Sequence, residues 1–405
     1  MFIRSAKYFP QLEAHGICGM IKDWFEVDMP CQTQLRSSRH HQRLVKYVRP
    51  LQESDVEKIV TWLKNGKWKT LPHDGSGIIH CGKNTTNLPL TITISPAGVY
   101  LDKKRCHQLG YGGSKNVTKA LFINQQGIAE KCAAYRFRDR HAYDMSKHAQ
   151  NILKKHGLIN SFSGNDFHTY QSKSGKQRFK SYVARADDDL RTYISKKDNF
   201  TTADSIELIE QLKPIAHQLQ QWHSKGVAHR DIKLENIFIQ DNNFQIGDIE
   251  GIIDSPENGG ICTLDYLMPI RFLQENASLL ELQYADVFAL GITFAKILRK
   301  ESFGEYLHTV RFVNRTKEEF KKSIRERIIQ ERGLLSESKL DTLVISEFKS
   351  TMVKAHADLP PCERRSSIAE QLSELIIDMI HPVSTISMSA VMARLNQIFP
   401  KTDNT

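Results

Sequence analysis

Side chains able to do chemistry concentrate in the run Val227-Ala228-His229-Arg230-Asp231-Ile232-Lys233-Leu234-Glu235-Asn236-Ile237-Phe238-Ile239. It sets a carboxylate (Asp231), an ammonium (Lys233) and an amide (Asn236) close together, after an amphipathic helical pattern and before an apolar β-like triplet. A carboxylate can take a proton from a hydroxyl or hold a hard cation, an amide oxygen is a second ligand of that kind, and a lysine offsets anionic charge. A second carboxylate, Asp248, lies in Phe244-Gln245-Ile246-Gly247-Asp248-Ile249-Glu250. Far upstream, Leu109-Gly110-Tyr111-Gly112-Gly113-Ser114-Lys115-Asn116-Val117 offers glycines that let backbone N–H groups approach an anion. Alone, a glycine-rich turn is weak evidence and His-Arg-Asp could be a solvated turn; their order and context carry the argument.

The elements that must position these residues change character along the chain. Residues 1–50 are polar and irregular, and Val56, Ile59, Val60 and Leu63 recur at helical spacing in residues 53–68 behind Ser54 as N-cap. From residue 88 the pattern is strand-like: Leu90, Ile92 and Ile94 alternate, Pro96-Ala97-Gly98 turns, and Val99 and Leu101 resume. Further strands are expected around 117–123, 131–137 and 179–185, with a helix over 142–155. After Ser205 the chain is mostly helical, with helices expected over 206–224, 285–298 and 368–380. Strands first and helices second predict an α+β, bilobal fold, a small β-rich N-lobe joined to a larger helical C-lobe through Ala186-Asp187-Asp188-Asp189.

At this point the chain resembles the eukaryotic-like serine/threonine protein kinases, because the H-R-D-x-x-x-x-N catalytic-loop signature is complete at His229 to Asn236. The resemblance implies that Asp231 meets the substrate hydroxyl, that Lys233 supports the transferring phosphoryl group and marks the serine/threonine type, and that Asn236 and Asp248 hold Mg²⁺, with Mn²⁺ as the alternative ion. Asp248 matches the D-F-G aspartate, with Ile249 for phenylalanine and Glu250 for glycine, a change expected to restrict that segment. Met268-Pro269-Ile270 stands where A-P-E is expected, and Ala285-Asp286-Val287-Phe288 resembles the helix whose aspartate supports the catalytic loop. The glutamate missing at Ile270 and its missing arginine partner, with none in residues 382–390, are lost together, as a structural ion pair would be. Arg230, before the catalytic aspartate, suggests pairing with a phosphate on Ser255 or Thr263.

In the first lobe, Gly110, Gly112 and Val117 fit the kinase glycine-rich loop G-x-G-x-x-G-x-V, with Val117 covering an adenine. Lys115 takes the third-glycine position, which resembles the with-no-lysine kinases. Cys132-Ala133-Ala134-Tyr135 then places Tyr135 where the strand lysine is expected and Ala149 where its helix glutamate is expected. A second register, Ile128-Ala129-Glu130-Lys131, would restore Lys131 to that role, so Lys115 and Lys131 compete as the phosphate-side cation. For Lys115 the plain alternative is a solvent-facing side chain.

The implied organisation is an N-terminal extension of unknown role (residues 1–87), an N-lobe (88–186), a C-lobe (187–400) and a tail (401–405). The implied function is transfer of the γ-phosphoryl of ATP to serine or threonine of a protein substrate. Alternatives are a pseudokinase acting as a nucleotide-binding scaffold, and another transfer on the same fold. Composition agrees with a globular enzyme: 405 residues, 40% hydrophobic and 25% charged. The net charge of +10 is spread among acids, and no recognised nucleic-acid motif accompanies it, so no nucleic acid is expected as partner. No apolar run reaches the length of a transmembrane segment and no secretory leader is recognised. Seven scattered cysteines without a CxxC pair suggest a cytoplasmic or other reducing compartment, with delivery into another cell left open.

Overall fold

In the computed structural model the described residues are 78–79, 90–95, 98–103, 108–111, 113–124, 129–158, 162, 166–172, 175–256, 263–269, 277–299, 301–333, 335–359, 367–383 and 385–400. The helix expected over 53–68 and the loop glycine Gly112 lie outside them. They divide into two compact units, one containing the chain up to Lys147 and again to Arg185, the other holding His148 to Asn160 and everything from Ala186.

The first unit is built on strands β1 (Ile78–Ile79), β2 (Leu90–Ser95), β3 (Gly98–Lys103), β4 (Gln108–Tyr111), β5 (Lys115–Asn124), β6 (Ala129–Phe137), β7 (Asp166–Gln171) and β8 (Gln177–Ala184). They form one antiparallel sheet in the order β1-β2-β3-β5-β6-β8-β7, with β4 pairing the first part of β5 and β3 the rest. The sheet curls: Tyr100 of β3 stacks on Tyr182 of β8 at 3.9 Å between ring centroids, although β5 and β6 separate them in the sheet. Strand periodicity sends the side chains of β6 to two faces. Ala133, Tyr135 and Phe137 pack with Phe179, Val183, Ala142 and Tyr143. Cys132 and Ala134 pack with Tyr100, Ala120 and Tyr182 inside the curl.

That inner face also holds charge. Asp102 and Lys180 are fully buried, and Asp102 takes Lys180 Nζ on one oxygen and Arg136 Nη2 on the other, each at 2.5 Å. The Tyr182 hydroxyl lies 2.9 Å from Asp102 and 2.6 Å from Thr93. Burial alone would raise the Asp102 pKa, yet the two cations pull it down to about 2.

Helix α1 (Arg140–His156) is N-capped by Asp139, whose carboxylate accepts from Ala142 N at 2.9 Å. Its Ala149, Ile152 and Leu153 belong to the core of the second unit. That unit continues with β9 (Asp188–Asp189), α2 (Leu190–Ser195), α3 (Thr202–Gln211), α4 (Lys213–Ser224), β10 (Ile237–Gln240), β11 (Asn243–Ile246), α5 (Leu279–Leu298), α6 (Glu301–Arg315), α7 (Lys317–Arg332), α8 (Glu337–Ala357), α9 (Ile368–Met379) and α10 (Met388–Ile398). The single helix expected over 206–224 is two, because Pro214 has no N–H and fits only a first turn. Strand β9 lies in the expected connector and pairs with β10, and Asp189 caps α2. Helix α5 is buried almost all round and forms the centre of the unit; a Cβ on its Gly291 would lie 2.7 Å from Met379 Cβ. Helices α7 and α8, which lay within the helical half without being resolved individually from sequence, pack with Ile324, Ile328, Leu340, Val344 and Phe348 in the core. No helix among the described residues is long and apolar enough to cross a membrane.

Candidate active site

Asp231 is 5% exposed and its carboxylate is fully engaged from one side. Oδ1 accepts from Thr263 Oγ1 at 2.7 Å, and Oδ2 accepts from Lys233 Nζ at 2.7 Å and Asn236 Nδ2 at 2.9 Å. Lys233 Nζ also donates to Thr263 Oγ1 at 2.8 Å, and Asn236 Nδ2 to the Asp231 carbonyl at 2.8 Å. Three side chains therefore fix one carboxylate, which preorganises it for a hydroxyl partner. With the Asn236 nitrogen spent on Asp231, its oxygen is the atom suited to a cation.

The backbone that carries this network is held from α5. Asp286, fully buried, accepts from His229 N at 2.7 Å and Arg230 N at 2.6 Å, one on each oxygen. Arg230 has φ 73°, a left-handed backbone that these two bonds help to hold. Burial pushes the His229 imidazole below its usual pKa; the neutral ring donates from Nε2 to Gly247 O at 3.1 Å and accepts from Asp231 N at Nδ1. Gly247 N in turn donates to Asn236 O at 2.8 Å, so Asp248 is tied to the same loop as Asn236. Asp248 has φ 54° and begins a short 3-10 turn over Ile249–Gly251.

Glu250 does not occupy the position that demands glycine. A Cβ on Gly251 would lie 2.5 Å from the His229 carbonyl oxygen, and the Gly251 carbonyl accepts from Arg230 Nε. The steric requirement has moved one residue along, and Glu250 sits buried in the turn. Thr263 also departs from expectation. It was a candidate phosphate acceptor facing Arg230, but its hydroxyl belongs to the Asp231 network, where a phosphate would face a carboxylate. Ser255 is exposed beside Asp254, which pairs with Lys155 at 2.6 Å and His156 at 3.1 Å. Thr263 as a partner of Asp231 was missed; its place five residues before Met268-Pro269 was the available signal.

In the first unit, β4 and β5 form the hairpin that carries the glycine-rich loop, with Gly110 opposite Val117 and Tyr111 opposite Asn116. Lys115 is 6% exposed, which removes the solvent-facing alternative, and its Nζ lies 4.4 Å from the centroid of the Tyr135 ring. Val117 and Tyr135 are direct cross-strand partners. Lys131 is exposed and opposite Leu121, about 13 Å along β6 from Tyr135 at the usual strand rise. Ala149 is fully buried in the helical core, where a glutamate would require its own cation. Sequence reasoning thus brought together Asp231, Lys233, Asn236 and Asp248 in one unit, and Gly110, Lys115 and Val117 in the other, with Lys131 set apart.

Residues 104–385 match the family model for the protein kinase domain. The chain is 25% identical over 255 residues to the interferon-induced, double-stranded RNA-activated protein kinase of Mus musculus, covering 57% of this chain and 48% of that protein. It is 34% identical over 100 residues to the inhibitor of nuclear factor kappa-B kinase subunit alpha of Gallus gallus, covering 22% and 13%. It thus spans less than half the length of these curated relatives. The motif order, the loop residues Asp231, Asn236 and Asp248 and a match over most of its length lead to one conclusion: the chain belongs to the protein kinase domain family.

Proposed function

We propose that this chain transfers the γ-phosphoryl group of ATP to a serine or threonine hydroxyl of a protein substrate. The observation that carries the reading is the fixed Asp231 carboxylate with Lys233, Asn236 and Thr263 around it. Asp231 orients the incoming hydroxyl and accepts its proton. Lys233 offsets charge on the group in transfer. Asn236 Oδ1 and the Asp248 carboxylate are hard oxygen donors that would hold Mg²⁺, which when bound would supply neutralisation of phosphate charge. In the first unit the backbone around Gly110 takes the phosphates, Val117 covers the base, and Lys115 is the phosphate-side cation in place of a strand lysine; Lys131 is the rival. The lobes are read as residues 88–186 and 187–400, and the unit boundary after Arg185 supports that division.

The test is transfer of labelled γ-phosphate with Mg²⁺ by wild type, Asp231→Asn, Lys115→Met and Lys131→Met, with nucleotide affinity measured alongside. The reading expects Asp231→Asn and Lys115→Met to lose transfer, Lys131→Met to keep it, and Asp231→Asn to bind ATP normally. Tyr135, Ala149, Glu250 and Ile270 are what favour the scaffold alternative; nucleotide binding without transfer by the wild type would establish it.

A further inference from the structure

Lys115 and Tyr135 are both buried, at 6% and 7% exposure, and the ammonium lies 4.4 Å from the ring centroid. The sheet register explains the approach. Tyr135 stands opposite Val117, and Lys115 lies two residues before Val117 on the same strand, hence on the same face and diagonal to Tyr135. The ring is itself fixed, because β6 pairs on both sides and Tyr135 packs with Ala133, Phe137, Tyr143 and Phe179. A lysine on a four-carbon stem has many rotamers, and an aromatic face presents negative potential that restricts them without neutralising the charge.

We infer that Tyr135 is a positioning residue: its ring is the platform that aims the Lys115 ammonium at the nucleotide phosphates, doing for this lysine what a glutamate does for a strand lysine. The inference rests on the reading of Lys115 as the phosphate-side cation. It explains why an aromatic residue, and not a small apolar one, stands at this position of β6. The hydroxyl is dispensable on this account and the ring face is not.

The experiment uses the full chain with Tyr135→Phe, Tyr135→Leu, Lys115→Met and the double variant Tyr135→Leu/Lys115→Met. Each is scored for melting temperature, affinity for a fluorescent ATP analogue, and kcat and KM for ATP. Tyr135→Phe is expected within about twofold of wild type, since the π face is kept. Tyr135→Leu is expected to lose about tenfold in kcat/KM or nucleotide affinity, within the range of a desolvated cation–π contact. In the Lys115→Met background the same substitution should add no further loss. Equal behaviour of Tyr135→Phe and Tyr135→Leu, or additive losses in the double variant, overturns the platform while leaving Lys115 in its role. Wild-type behaviour of Lys115→Met overturns the reading of Lys115 itself. If Tyr135→Leu melts more than a few degrees low, Tyr135→Met provides the unbranched comparison on the same criteria.

Discussion

Replacing Asp102 with asparagine keeps the shape of the side chain and removes the carboxylate charge that Lys180 and Arg136 share. The carboxylate titrates at about 2 against an ordinary 3.8, a difference worth about 2 kcal/mol once it is ionised in both states. The substitution costs more than that figure, because two cations then stay behind in an apolar curl. Breaking a buried pair from one side typically costs about 3–5 kcal/mol. At ~2–4 °C per kcal/mol for a large domain, the melting temperature of Asp102→Asn should fall by about 10 °C. Adding Lys180→Met should restore part of the loss by removing the surplus charge. The pH dependence has a definite sign: a folded pKa below the unfolded one gives stability that is complete above about pH 4 and is lost as pH falls through about 2. Thermal scans and urea midpoints of the full chain measure all of this. A shift of less than about 2 °C in Asp102→Asn, or a double variant less stable than the single, refutes the reasoning.

Gly251→Ala puts a methyl group 2.5 Å from the His229 carbonyl, so phosphate transfer should fall more than about tenfold and the loss should exceed that of a neighbouring exposed Ser255→Ala. Thr263→Ser should keep most activity, whereas Thr263→Ala gives up a hydrogen bond to a charged group, about 1.5–3 kcal/mol or roughly ten- to hundredfold in kcat; Thr263→Glu should be inactive, and intact-mass analysis of active protein should show Thr263 unmodified. Asp286→Asn leaves one of two catalytic-loop amides facing an NH₂ group, so transfer should fall about a hundredfold with a lower melting temperature, and unchanged kinetics would remove Asp286 from its supporting role.

The catalytic loop was legible because its chemistry demands particular residue types at short, fixed spacing, and the helix before it and strand after it announce themselves by periodicity. Thr263 was harder: its bond to Asp231 spans 32 residues, and a hydroxyl that far away looks the same whether it caps, faces solvent or serves the site. The glycine requirement at Gly251 follows from a carbonyl of His229, not from the aspartate it trails, so counting from Asp248 put it at Glu250. Nothing in the sequence around Asp102 and Lys180 sets them apart from surface charges. Only the curl of the sheet, a long-range feature, buries them. Lys115 and Tyr135 were legible as a coupled departure, but their contact depends on strand register, which a single sequence leaves open between Tyr135 and Lys131.

The curl has a consequence for how this unit meets other chains. An open sheet ends in two rows of unpaired amides and carbonyls, each a template for adding a foreign strand. Here β1 returns against β7, so the first and last strands of the sheet meet. The hairpin of β2 and β3 covers the part of β5 that β4 does not reach. Those strands lie ahead of residue 104, where the family match begins. A fragment cut to the matched span would expose the edge of β5 over residues 120–124, in the segment Ala-Leu-Phe-Ile-Asn, and would be expected to self-associate through it.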